Sequence, residues 1–145
     1  MRSTLWLAAL PALMWASASC GDSTAVDPQS LLGTWDATKL EFTRVANTSD
    51  KVDLIDLGGE FVITLAANDV CTGTFTVPGE LPENLTGTWS VSVDVFTLHW
   101  DGDTGNTQFD MTLSGNTLTL TGGDVDYDFG NGDEAAKLTV VLDKR

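Results

Sequence analysis

The densest set of potential ligands in this chain is an acidic run near its C-terminus. Asp124, Asp126 and Asp128 alternate, and Gly130-Asn131-Gly132-Asp133-Glu134 follows. Calcium takes six to eight oxygens, which alternating Asp between Gly turns can supply. The run departs from the EF-hand template, because Phe129 stands where that loop needs Gly and Ala135 falls at its last ligand position. A solvated loop whose acids favour turns is the other reading. His99 is the one histidine, and alternation with Leu98 and Trp100 puts it on the outward face. One histidine and two dispersed cysteines, Cys20 and Cys71, do not make a zinc site. A Ser-His-Asp triad would need His99 with Asp94, Asp101 or Asp103, and no serine stands in a nucleophile elbow. No pair of carboxylates is marked out for glycoside hydrolysis. The expectation is a protein that is not an enzyme and carries no cofactor.

The elements that would hold these residues are short strands. From Thr34 to Arg44, Trp35 and Ala37 share one face, then Leu40 and Phe42 the other. That change of phase near Lys39 predicts a β-bulge. Phe61, Ile63 and Leu65 alternate with Val62 and Thr64, and Cys71, Gly73, Phe75 and Val77 share a face in the same way. The same holds for Leu85 to Val91, Phe96 to Trp100, Phe109 to Leu113, Leu118 to Leu120 and Leu138 to Leu142. Ser114-Gly115-Asn116 is a tight hairpin signal, and Gly122 to Glu134 reads as an acidic loop. Asp27-Pro28 reads as the capped start of a helical turn. No stretch has a long helical period, so a parallel α/β sheet is excluded. Consecutive hairpins predict an all-β, eight-stranded, antiparallel up-and-down barrel rather than a two-sheet sandwich. One face of these strands is rich in rings: Phe42, Phe61, Phe75, Trp89, Phe96, Leu98, Trp100, Phe109 and Met111. It either lines a site for a small hydrophobic ligand or fills the barrel as packed core.

The formal net charge is −14. Such a surface argues against nucleic acid and against electrostatic docking on anionic lipid. Met1-Arg2 is a minimal basic start, Leu5 to Trp15 is apolar, and Ala16-Ser17-Ala18-Ser19 supplies small residues before Cys20. Residues 1–19 therefore read as a secretory signal, 20–26 as a flexible tether and 27–145 as one domain. The small residues before Cys20 resemble a bacterial lipobox. That resemblance implies lipidation of Cys20, anchoring in the bacterial cell envelope at the outer membrane or its periplasmic face, and a palmitoylated terminus. Ordinary cleavage near Ala18 would leave a secreted or periplasmic protein, and a Cys20–Cys71 disulfide would then become available. The expected state is a monomer.

Three pieces of sequence carry a second resemblance: Leu31-Leu32-Gly33-Thr34-Trp35, the hairpin Ser114 to Leu120, and the closing Lys137 to Arg145. Together they resemble the lipocalin-like domain of small bacterial lipoproteins. The resemblance implies that Gly33 and Trp35 open the first strand at the closed end, with Leu31 and Leu32 as a plug. It also implies that Arg145, or Lys144, stacks on Trp35 to seal that end. An avidin-type barrel is a weaker resemblance, since its opening motif falls mid-chain here, at Leu85-Thr86-Gly87-Thr88-Trp89.

Overall fold

The computed structural model describes residues 25–145. The signal, Cys20 and most of the tether lie outside the described residues. The chain enters through α1 (Pro28–Leu31), a single turn whose start is capped as the sequence predicts. The Asp27 carboxylate accepts from the backbone N–H of Gln29 at 2.9 Å, and Pro28 needs no partner for a missing N–H.

Nine strands follow: β1 (Gly33–Arg44), β2 (Lys51–Asp53), β3 (Glu60–Leu65), β4 (Val70–Thr76), β5 (Glu83–Ser92), β6 (Val95–Trp100), β7 (Thr107–Ser114), β8 (Thr117–Asp128) and β9 (Asp133–Lys144). Every pairing is antiparallel, β3 to β9 run in sequence order, and β1 pairs with both β3 and β9. The sheet is therefore a closed barrel of eight strands, which leaves no long unpaired edge. The additional strand, β2, covers the far half of β1 where β3 does not reach. Asp53 ties it down by accepting from the N–H groups of Leu40 and Ile55, both at 3.0 Å.

Closure depends on two register shifts. The first lies between Ala37 and Lys39, opposite β9. The bulge is where the sequence places it, but its effect on facing differs from the expectation. One extra residue keeps Trp35, Ala37, Leu40 and Phe42 on a single inward face, opposite Lys144, Leu142, Val140 and Leu138. The second shift lies between Leu120 and Gly123 on β8. Beyond it the ladder continues to Asp128 and Asp133. The segment from Gly122 to Glu134 is thus mostly strand, with a turn only over 129–132. Asp124, Asp126, Asp128 and Asp133 occupy the outward positions, while Val125 and Tyr127, with Glu134 opposite Tyr127, carry the inward alternation. Tyr127 stacks on Phe42 at 4.2 Å between ring centroids, which holds this hairpin to the barrel wall.

The core is continuous and wholly apolar among the described residues. The outward faces are rich in threonine, and some of these pair directly, as Thr34 does with Thr64 at 2.9 Å.

Candidate ligand-binding cavity

The N-terminal turn and the turns over 66–69, 93–94 and 115–116 gather at one end of the barrel, and this end is plugged. Leu31 and Trp35 are fully buried there. The Trp35 indole Nε1 donates to the Leu31 carbonyl at 2.8 Å, so the first strand and the preceding turn are locked together. The ammonium over the Trp35 ring belongs to Lys144, 5.3 Å from its centroid, and it also donates to the Ser30 carbonyl at 2.9 Å. Arg145 does not stack on Trp35. It forms a two-pronged pair with the Asp36 carboxylate outside the barrel, at 2.6 and 2.7 Å. That hydrogen bond and charge hold the Asp36 carboxyl below its ordinary range. Gly33 sits at the start of β1 with φ +124°, and the Lys144 stem passes over it.

Above the plug the barrel is hollow. The cavity measures about 150 Å³. Of the face read from sequence, Phe42, Phe61, Phe75, Phe96, Leu98, Trp100 and Phe109 line it. Trp89 and Met111 are buried but are not part of its wall. Trp89 is held instead at the plugged end, where its Nε1 donates to Ala66 O at 3.1 Å. The rest of the wall is aliphatic: Leu40, Ile63, Leu65 and Leu85 on one side, and Leu118, Leu120, Leu138, Val140 and Leu142 on the other. No ionisable side chain contributes to the lining.

The rings do not fill the space because glycines let them lie against the wall. A Cβ on Gly123 would come within 2.2 Å of the Phe109 ring, and one on Gly73 within 3.1 Å of the Trp100 ring. The absent side chains on β8 and β4 are the room those rings occupy. Phe61 then packs edge-on to both Phe75 and Trp100, each at 6.4 Å.

The candidate cation site is not assembled. Asp124 pairs with Lys137, and the Asp128 carboxylate accepts from the N–H groups of Gly130 and Gly132 at 2.7 and 2.9 Å. These two backbone bonds lower the Asp128 carboxyl below its usual value and assign it to the turn. Asp124, Asp126 and Asp128 alternate along an extended strand, which spaces them too widely to converge on one ion. Among the described residues no three His, Cys, Asp or Glu side chains come together to hold a metal. His99 lies on the outer surface with Nδ1 2.9 Å from the Gly105 carbonyl oxygen, away from the cavity wall. Cys71 is fully buried, and burial together with the nearby Asp101 charge pushes its thiol up to about 11. It packs as a small apolar group.

A closed antiparallel barrel, plugged at one end by a Gly-x-Trp strand and holding a cavity lined by apolar side chains, defines the class of small closed β-barrels. The lipocalin-like domain family matches residues 31–120, and the chain belongs to that family. Such proteins are typically non-enzymatic binding proteins. The match ends inside β8, and in the structure the later residues complete the ring through β9. No curated protein matches the chain.

Proposed function

We propose that this barrel binds a small apolar molecule of about six to eight carbons, without chemistry. The observation that carries this reading is the cavity of about 150 Å³ walled by apolar side chains. A dry cavity of about that size accepts a benzene-sized guest in an otherwise packed protein. Burying roughly 200 Å² of such a guest at about 25 cal/mol per Å² is worth ~5 kcal/mol, which corresponds to a Kd on the order of 0.1–1 mM. The test is a titration of the protein with benzene and with 1-hexanol, followed through the methyl resonances of Leu118, Leu120 and Val140. Saturable shifts are expected, and they should vanish in Leu118→Phe, which fills the space while remaining apolar. The absence of saturable shifts with both probes would refute the reading.

The location belongs to the same proposal. Support comes from the secretory pattern of residues 1–19 and the small residues before Cys20, which favour a lipidated terminus in the bacterial envelope. The protein would be a monomer touching the membrane only through that lipid, since two or more acyl chains anchor stably without a spanning helix. Cys20→Ala should then release it from the membrane fraction.

A further inference from the structure

We propose that the cavity selects uncharged or cationic apolar molecules and rejects anionic ones of equal length. This rests on the binding reading above. The wall offers no charged group to meet a headgroup, so a headgroup must stay at the open end. Loops 45–50, 77–82, 101–106 and 129–132 stand at this end, opposite the plug, and carboxylates stand in or beside each of them. They are Asp50, Glu80, Asp101 with Asp103, and Asp133 with Glu134.

The cations near that end are already taken. Arg44 follows Phe42 by two residues, so it stands on the inward face of β1 just above the cavity wall. Its guanidinium lies 4.6 Å from the centre of the Phe129 ring. Nη1 is 2.5 Å from Asp50 Oδ2, and Nε is 2.8 Å from Glu134 Oε2, close enough for an ion pair though not aligned as a hydrogen bond. Lys51 is 3.4 Å from Glu41, and Lys137 is paired with Asp124. Among the described residues the cation without a carboxylate partner is Lys144, and it stands at the opposite end over Trp35. An incoming carboxylate would have to displace an acid from Arg44 or sit unpaired among like charges, both unfavourable. An ammonium meets a surplus of carboxylates and the ring faces of the mouth.

The experiment compares 1-hexanol, hexylammonium and hexanoate near neutral pH by the same methyl shifts, at low salt. Hexylammonium should bind at least as tightly as hexanol, and hexanoate about tenfold or more weakly. Raising the salt to about 0.5 M should narrow the gap, because the charges are at the solvent-exposed mouth. Replacing two exposed acids together, Glu80→Gln with Asp103→Asn, should narrow it as well. Hexanoate binding as tightly as hexanol, and losing that affinity in Arg44→Gln, would make the mouth an anion site and overturn the proposal. Failure of hexanol itself would instead overturn the binding reading, and this selectivity with it.

Discussion

Replacing Trp35 with Phe isolates the device that plugs the barrel. The indole Nε1 bond to the Leu31 carbonyl is 2.8 Å long, and both residues are fully buried. Phe cannot donate, so the carbonyl loses a buried partner at a cost of about 1–3 kcal/mol. The smaller ring also leaves a void of a few tens of Å³, worth ~1 kcal/mol at ~24 cal/mol per Å³. The expected loss is about 2–4 kcal/mol, or roughly 8–15 °C in Tm for a domain of this size. Urea denaturation followed by circular dichroism measures it without relying on the altered fluorophore. A companion variant, Lys144→Met, keeps the stem over the ring but removes the charge. It should cost ~0.5–2 kcal/mol in the parent and less in the Trp35→Phe background, where the weaker phenyl face leaves less to lose. Ligand affinity should survive in both, because neither residue lines the cavity. A Trp35→Phe loss below about 0.5 kcal/mol would show that the plug is not pinned by this bond, and the reasoning would fail.

Gly123→Ala should destabilise the barrel by ~1–3 kcal/mol and weaken hexanol binding, since the new methyl drives the Phe109 ring off β8 toward the cavity; unchanged urea midpoint and affinity would contradict this. Cys71 gives a pH dependence. Its folded-state thiol is raised to about 11 from an ordinary 9.0, so between these values the unfolded chain holds fewer protons and stability falls as pH rises. The slope from this group should disappear in Cys71→Ala, and parallel alkaline curves for the two proteins would exclude it.

The fold was legible in the sequence wherever a strand alternates between core and solvent. The phase change after Ala37 marked the first bulge, because an extra residue leaves a visible break in a period-2 pattern. The second half of β8 was not legible for a different reason. Asp124, Asp126 and Asp128 favour turns when read singly, yet Val125 and Tyr127 between them keep the same period as any half-buried strand. The partner that settles the matter, Phe42, is far away in sequence. The sealing cation was legible in principle. Leu138, Val140 and Leu142 point inward, so Lys144 is in phase and Arg145 is not, and this alternation chooses between the two residues that the family resemblance leaves open.

Depth along the barrel was the part that alternation could not supply. It assigns Trp89 and Met111 to the inward face just as it does Phe96 and Phe109, but it does not say how high each sits. Height follows from strand tilt and register, which are properties of the pairing and not of any one segment. Nor could the bulk of the rings decide between a filled and a hollow barrel. Summed volume favours filling, but volume counts only if rings project across the axis. Here Phe109 lies over Gly123 and Trp100 over Gly73, so two large rings are drawn toward the wall. Each glycine exchanges a side chain on its own strand for a ring from elsewhere, and the space that ring would have taken at the centre stays open. The cavity thus follows from which inward positions carry no side chain at all, and a valine at either glycine would push a ring inward and begin to close it.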